Sequence, residues 1–292
     1  MKEKKDSNNQ TEQTGKSFIS LRNDYAFTQT MKNPMVLRGF LAAVFGMGTE
    51  DIQEIKVKDR HLKKVSLEDK LGVLDVRAYV VEIGDIDIEI QIKEHRYWDE
   101  RSIFYCSQMY IENVSKGTGY DQCKKVISIT ILGFNHCKDT SYFYSRFHLR
   151  EDERNTLLSD VLEFQIIELG KLDCEVKEKD KNLHKWASLI NAESEEQLME
   201  IEKDPYIEEA LKELEEFSKN PDLVEEYRRR DKALRDYVTF MESAKKEGLK
   251  QGEDRLSKLI QILSQNNETE KIIEMADNKQ LREELLKKYN IE

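Results

Sequence analysis

The stretch DIDIEIQIK, residues 85–93, alternates a polar residue with an isoleucine at every step. Because successive side chains of a β-strand point to opposite faces of the sheet, this period of two predicts a strand with all its isoleucines on one face. The other face then carries Asp85, Asp87, Glu89, Gln91 and Lys93. A solvated edge strand would account for these polar residues, and a functional site is the alternative. The sequence on either side favours the functional site.

A second strand is predicted at residues 73–81, which are rich in β-branched residues and end just before a glycine turn signal. The two strands are expected to pair as an antiparallel hairpin. The turn is expected to be centred near Ile83. In that register Asp75 lies opposite Gln91 and one diagonal step from Glu89. Diagonal neighbours in a sheet are roughly 7–8 Å apart, so the carboxylates of Asp75 and Glu89 would converge on one cation.

Two carboxylates, together with waters and phosphate oxygens, form the oxygen-rich environment that Mg²⁺ prefers, and Mn²⁺ is the alternative ion. A bound divalent ion lowers the pKa of its water ligand and stabilises the charge that develops on a phosphate during hydrolysis. Gln91 would hold that water in line, and Lys93, roughly 6–7 Å further along the strand, would contact phosphate. The pattern predicts a metal-dependent hydrolytic site, with Asp75 and Glu89 as metal ligands and Gln91 as the third catalytic residue.

Elements around the hairpin indicate a layered α/β domain that ends near Lys171. Two helices are predicted before the hairpin, one starting at Asn23 and one running from Pro34 to Gly46. Further strands are predicted at residues 52–58, 126–134, 142–149 and 161–169. A helix at residues 96–114 is expected to contribute core residues from Tyr97, Ile103, Phe104, Met109 and Ile111.

Helices are predicted throughout residues 173–292, where apolar residues recur at intervals of three and four among charged ones. Asn220-Pro221 is expected to separate two helices. Gly248 and Gly252 are expected to interrupt a charged helix before a final amphipathic stretch at residues 256–289. This region would serve as an interaction or homo-oligomerisation module, or would pack against the core.

The length of the chain sets the expected domain organisation. A chain of 292 residues with 38% hydrophobic residues accommodates one substantial core and a smaller appendage. Residues 1–17 are polar and lack periodicity, so they are predicted to be a disordered tail. The expected domains are this tail, a catalytic domain at residues 18–172 and the helical region at residues 173–292.

A net charge of −11 is unusual for an enzyme that binds nucleic acid. Whether the chain can bind nucleic acid therefore depends on the local distribution of its charges. Basic residues cluster on the first predicted strand and in the loop that follows it, at Lys56, Lys58, Arg60, Lys63 and Lys64. The four lysines are the candidate nucleic-acid contacts, and a solvated strand edge is an equal interpretation. The run Arg228-Arg229-Arg230 lies in an acidic helical region and is typical of a solvated, salt-bridged face.

The four cysteines form no CxxC pair, and neither they nor the five histidines show the spacing of metal ligands. Reduced thiols and a cytoplasmic location are therefore expected. No stretch approaches the roughly 18–20 apolar residues that a membrane span needs, so no membrane partner is expected. A glycine-rich phosphate loop between a strand and a helix is also missing from the sequence.

Two segments of the hairpin, LDVRA at residues 74–78 and IEIQ at residues 88–91, resemble the PD-(D/E)XK nuclease/transposase family, also called recombination-promoting nucleases. The resemblance continues over most of the chain, through Asn23-Asp24-Tyr25-Ala26-Phe27, Arg101, Tyr105, Gly117, Tyr120, residues 126–134, Glu168-Leu169-Gly170-Lys171, Trp186, Glu247-Gly248 and Gln251-Gly252. Each motif is weak alone, and their order makes the set fairly specific.

The resemblance implies a restriction-endonuclease-like αβββαβ core, in which helices flank a mixed sheet, with an all-α C-terminal extension. It also implies that Asp75 and Glu89 bind the metal and that Gln91 stands where the wider superfamily usually has a lysine. A lysine neutralises developing charge, whereas an amide can only hydrogen-bond. The family commonly has glutamine at this place.

Three further residues are expected to support the site. Asp24 would supply an additional acid from the first helix, although the lysine that often follows the family's phenylalanine is Thr28 here. Arg101 and Tyr105 lie four residues apart on one helical face and would line the cleft, and a core tyrosine with an arginine partner is the equal interpretation.

The sequence therefore favours a Mg²⁺-dependent endonuclease that cleaves DNA phosphodiester bonds and is linked to recombination or transposition of mobile elements. RNA stays open as a substrate. The alternative function is a catalytically silent nucleic-acid-binding or regulatory protein that retains the nuclease fold, with the C-terminal helices mediating self-association.

Overall fold

A computed structural model describes residues 18–62, 74–94, 97–114, 119 and 122–291 of the chain. Residues 1–17, for which the sequence predicts a disordered tail, lie outside this set. The chain divides into two compact units, Met1–Arg228 and Arg229–Glu292. The first unit contains the sheet and the residues of the predicted site.

The first unit follows the predicted order of helices and strands. Its elements are α1 (Asp24–Thr30), α2 (Pro34–Phe45), β1 (Ile55–Val57), β2 (Val76–Val80), β3 (Gly84–Gln91), α3 (Trp98–Asn113), β4 (Val126–Leu132), β5 (Tyr144–Arg150), β6 (Leu157–Glu168), α4 (Lys181–Asn191), α5 (Glu195–Glu200) and α6 (Pro205–Lys219). Both opening helices begin at asparagine caps, because the Asn23 side chain accepts hydrogen bonds from two backbone N–H groups of α1 and Asn33 accepts one from α2. The predicted α/β fold is confirmed.

The six strands form one mixed sheet in the order β1-β2-β3-β4-β6-β5. Strands β1, β2 and β3 are antiparallel neighbours, β4 runs parallel to both β3 and β6, and β5 is antiparallel to β6. Strand β3 is therefore central, and all its residues except Gln91 are buried. The solvated-edge interpretation of the alternating stretch is wrong, because a period of two appears equally when each face of a strand is covered.

The isoleucine face of the sheet carries the main hydrophobic core. Ile86, Ile88 and Ile90 of β3 pack there with the isoleucines of β4 and with apolar side chains of α1, α2, α4 and α6. Helices α4 and α6 both pack against α2. Residues beyond 172, which the sequence places in a separate helical region, therefore contribute to the same core as the sheet.

The polar face of β3 lies against α3. In the parallel register Asp87 pairs with Ser128 and Glu89 with Thr130, and Ser128 Oγ lies 3.4 Å from Ser102 Oγ of α3. For this helix, most of the predictions of buried core residues are wrong. Met109 is buried, whereas Ile103, Phe104 and Ile111 of α3 and the preceding Tyr97 are exposed. The buried side of α3 is partly polar because it covers the polar side chains of the sheet. The spacing of apolar residues in the sequence therefore does not identify which side of α3 is buried.

The register of the β2–β3 hairpin differs from the prediction. Val80 pairs with Gly84 and Arg77 with Asp87, so the turn is centred on residue 82. Gly84 has φ +134, a conformation that favours glycine, and this allows the strand to begin at the residue that the sequence places in the turn. Continuing the register by two residues places Asp75 opposite Glu89 instead of Gln91.

The long helix α7 (Pro221–Gln265) follows α6 after the predicted break at Asn220-Pro221. It continues without interruption through Gly248 and Gly252, so the predicted interruption is wrong. Each glycine costs a helix only about 1 kcal/mol, which the surrounding helix formers offset. In the second unit Leu259 and Leu263 of α7 form a small core with α8 (Thr269–Asp277) and α9 (Lys279–Lys288).

None of the helices that the structure describes combines the length and the apolar character needed to cross a bilayer.

Candidate active site

Asp75 lies directly before β2 and is tied to β3. Its Oδ2 accepts a hydrogen bond of 3.1 Å from the backbone N–H of Ile90. Its own carbonyl oxygen accepts a hydrogen bond of 3.3 Å from Nη1 of Arg60. The carboxylate of Asp75 is therefore held beside the segment of β3 that carries Glu89, as the antiparallel register requires.

Glu89 is the second acid at this position. The residue is 8% exposed, and its Oε2 lies 3.7 Å from Nη2 of Arg101 on α3. Its Oε1 is buried and has no hydrogen-bond partner among the residues that the structure describes. An unpaired buried carboxylate oxygen is costly, so this atom is an open position for a cation or a donor.

Burial raises the pKa of Asp75 to about 6 and that of Glu89 to about 7. For Asp75 the hydrogen bond from Ile90 opposes the effect of burial, and the negative charge of Asp24 adds to it. For Glu89 the positive charge of Arg101 opposes burial, and Asp75 adds to it. Two acids that are this costly to ionise together would gain from a divalent cation.

The residues present fit Mg²⁺ or Mn²⁺. Asp75 and Glu89 present hard carboxylate oxygens from neighbouring strands, and the unpaired Oε1 of Glu89 is one of them. Within the described parts of the chain, no group of three or more His, Cys, Asp or Glu side chains could hold a metal ion. A bound ion would take two carboxylates from the protein and complete its coordination with water and substrate oxygens, as Mg²⁺ commonly does.

Gln91 is the last residue of β3 and is partly buried. Its Nε2 donates a hydrogen bond of 2.8 Å to the backbone carbonyl of Lys93. Lys93 itself is exposed and lies two residues beyond the end of the strand, so strand geometry does not place it on the polar face. Gln91 therefore lies beside the two acids. Lys93 has no partner at the site among the residues that the structure describes.

The supporting residues come from two helices. Asp24 opens α1 and is close enough to raise the pKa of Asp75. Arg101 lies on α3 beside Glu89, with its guanidinium 5.2 Å from the centre of the Tyr105 ring. The structure therefore brings all three supporting residues to the acids or to the side chain that contacts them.

Asp87 is a buried acid on the same face that sequence reasoning did not select. It is 1% exposed, and its Oδ1 has no partner within the described residues. Burial, followed by the charges of Glu89 and Asp75, raises its pKa well above the usual range. The alternation of residues 85–93 contains the signal, since Asp87 and Glu89 share one strand face, but alternation does not distinguish a buried polar face from a solvated one.

The candidate nucleic-acid contacts are differently placed. Lys56 is exposed and forms a surface ion pair of 3.2 Å with Glu54, a type of contact that is weak enough to be exchanged. Lys58 is bound at 2.9 Å to the fully buried Asp85. Lys63 and Lys64 lie outside the described residues. Of the described pair, Lys56 is therefore the better placed to contact phosphate.

Comparison with known families identifies one family that matches most of the chain. A family described as PD-(D/E)XK nuclease family transposase matches residues 21–244, well over half of the sequence. No curated protein and no solved structure matches. The matched segment contains every candidate site residue described above.

Proposed function

Because the chain belongs to the PD-(D/E)XK nuclease family transposases, we propose that it is a divalent-metal-dependent endonuclease that cleaves phosphodiester bonds in DNA. The observation that carries the proposal is a pair of acids, the partly buried Asp75 directly before β2 and the buried Glu89 near the end of β3. Asp75 is held by the N–H of Ile90, and Glu89 keeps an unpaired oxygen beside it. Two such acids suit Mg²⁺, with Mn²⁺ as an alternative.

Each residue has a separate task in this proposal. Asp75 and Glu89 hold the ion, which supplies an activated water and stabilises charge on the phosphate. The hydrogen bond from Ile90 fixes the direction of the Asp75 carboxylate. The Gln91 amide is anchored through its nitrogen to Lys93, which leaves its oxygen as an acceptor for a water. Lys56 contacts the nucleic-acid backbone.

The acids impose a pH requirement on this chemistry. A metal ligand must be ionised, and burial raises the pKa of both Asp75 and Glu89 towards neutrality. Protons therefore compete with the metal below about pH 7. The proposed site binds metal most tightly in neutral to mildly alkaline solution.

A catalytically silent protein that binds nucleic acid is the second candidate function. The observation in its favour is Gln91, which is uncharged and whose nitrogen is engaged by a backbone carbonyl. Such a protein would keep the fold without the positive charge that stabilises the charge developing on the scissile phosphate. We place this second because both acids remain in position.

The wider role that we propose is cleavage during recombination or transposition of mobile elements. Self-association through the C-terminal helices belongs to the same proposal, and the proposed catalytic domain extends beyond residue 172 to include α4 and α6, whose apolar side chains lie in the core of the sheet. A cytoplasmic location remains a prediction from the sequence.

A cleavage panel tests the proposal. Purified full-length protein is incubated with double-stranded DNA, single-stranded DNA or RNA, with Mg²⁺, with Mn²⁺ or with chelator, beside the variant Glu89→Gln. We expect metal-dependent cleavage of DNA by the wild type and a large loss in the variant. Cleavage of RNA alone would change the substrate, and cleavage unaffected by chelator or by the substitution would overturn the proposed chemistry.

A further inference from the structure

We propose that Arg101 supplies the positive charge that Gln91 lacks, by contacting a non-bridging oxygen of the scissile phosphate. This inference rests on the proposed nuclease function and assigns the residue that would replace a strand lysine. The charge would come from α3, which lies against the polar face of β3.

The position of Arg101 supports this role. Its Nη2 is 3.7 Å from Oε2 of Glu89, and 37% of its side chain is exposed. The guanidinium is thus next to a proposed metal ligand and also reaches solvent, where a substrate would approach. Gln91 offers no charge, and Lys93 lies beyond the end of β3.

The contact with Glu89 leaves Arg101 free to act elsewhere. A distance of 3.7 Å exceeds the 2.7–3.2 Å of an N–H···O hydrogen bond, so the two groups attract through charge alone. Such a contact lacks the geometry of a bidentate carboxylate pair and is readily shared with a second anion.

Tyr105 orients the arginine. The guanidinium carbon lies 5.2 Å from the centre of the Tyr105 ring, one helical turn further along α3. A stacked guanidinium loses less freedom when it binds, and its planar array of donors matches the oxygens of a phosphate. The pair is thus arranged to hold the guanidinium ready for an anion.

The decisive variants separate the charge of Arg101 from its position. Arg101→Met removes the charge and keeps much of the side-chain length, and Arg101→Lys keeps a charge. The double variant Arg101→Met with Gln91→Lys returns a charge from the strand instead of the helix. Arg235→Met is the matched control, because Arg235 is an exposed arginine of α7 that pairs with Asp231.

Three measurements are made on the full-length chain. The first is the single-turnover cleavage rate with Mg²⁺. The second is the affinity for the same DNA in chelator as a function of salt. The third is the affinity for Mn²⁺ by calorimetry.

The proposal predicts that Arg101→Met lowers the cleavage rate by at least about 100-fold, the scale expected for one preorganised charge on a transition state. The slope of log affinity for DNA against log salt concentration should become less steep by about 0.7–0.9. This change corresponds to the loss of one phosphate contact. Affinity for Mn²⁺ should stay the same or rise, because a competing cation has gone. Arg101→Lys should retain part of the rate, and the double variant should recover at least about tenfold over Arg101→Met.

Other results would overturn the assignment. If Arg101→Met cleaves DNA at the wild-type rate, or if its salt slope is unchanged, Arg101 does not contact the phosphate. Loss of Mn²⁺ affinity in both Arg101→Met and Arg101→Lys would indicate a purely structural residue. If the wild type itself fails to cleave, the proposed function fails, and the salt slope in chelator still decides whether Arg101 contacts phosphate.

Discussion

The carboxylate of Asp75 accepts a 3.1 Å hydrogen bond from the backbone N–H of Ile90, and this bond joins the start of β2 to the strand that carries Glu89. The bond fixes one carboxylate oxygen of a proposed metal ligand and leaves the other oxygen for a cation. It also gives Asp75 a structural task that is separable from its charge.

Replacement of Asp75 should distinguish the two tasks. Asp75→Asn keeps an oxygen that accepts from Ile90 and removes the charge, so we expect the free energy of unfolding at pH 8 in chelator to be unchanged or higher. Asp75→Ala leaves a buried N–H without its partner and should cost about 1–3 kcal/mol. Urea denaturation measures both. Equal destabilisation by the two substitutions would show that the hydrogen bond contributes nothing.

The stability of the metal-free protein should fall as the pH rises from 5 to 8. Folding raises the pKa of Asp75 from 3.8 to about 6 and that of Glu89 from 4.5 to about 7. A carboxyl group with a raised pKa favours the folded state fully below its unfolded pKa, and this contribution is lost as the pH passes through its folded pKa. We expect a loss of about 4 kcal/mol over this range if both shifts are fully expressed.

Urea denaturation in chelator at several pH values measures this loss. The double variant Asp75→Asn, Glu89→Gln is the control and should show a smaller decline. Excess Mg²⁺ should restore stability to the wild type at pH 8 and leave the double variant unchanged. A wild type that becomes more stable between pH 5 and 8 in chelator would contradict the assignment of raised pKa values.

Gly84 should be intolerant of a side chain. Its φ of +134 is strained for other residues, and a Cβ at this position would collide with the backbone carbonyl oxygen of Lys125. We expect Gly84→Ala to lower the free energy of unfolding by about 2 kcal/mol or more. Gly248→Ala is the matched control: a Cβ meets nothing within 4 Å in α7, and the change should stabilise by up to about 1 kcal/mol. Similar effects at both positions would mean that Gly84 does not set the hairpin.

The sequence predicted the strands, the opening helices and the acids of the candidate site because these depend on local pattern. The alternation at residues 85–93 defines β3, and the caps at Asn23 and Asn33 define the starts of α1 and α2. The sequence did not predict the pairing register, since the register depends on the backbone of Gly84 and on its close approach to Lys125, the residue directly before β4. A one-dimensional pattern does not contain that tertiary contact.

Burial was the other property that the sequence did not decide. The polar face of β3 has the same period whether water or α3 covers it, so Asp87 was not distinguishable from a solvated acid. The amphipathic helices α4 and α6 likewise fit either packing on the sheet domain or self-association, and the structure places their apolar faces in the main core. Arg101 reaches Glu89 only through the packing of α3 on the sheet.

The central claim is that Asp75 and Glu89 form a divalent-metal site that supports phosphodiester cleavage. Its most direct test is the single-turnover rate of plasmid cleavage with saturating Mg²⁺ at pH 8 for the wild type, Asp75→Asn and Asp160→Asn. Asp160 is an exposed acid of β6 and serves as the control. We expect a loss of at least about 100-fold in Asp75→Asn with the fold intact, and a wild-type rate in Asp160→Asn. Equal rates for the wild type and a folded Asp75→Asn would contradict it.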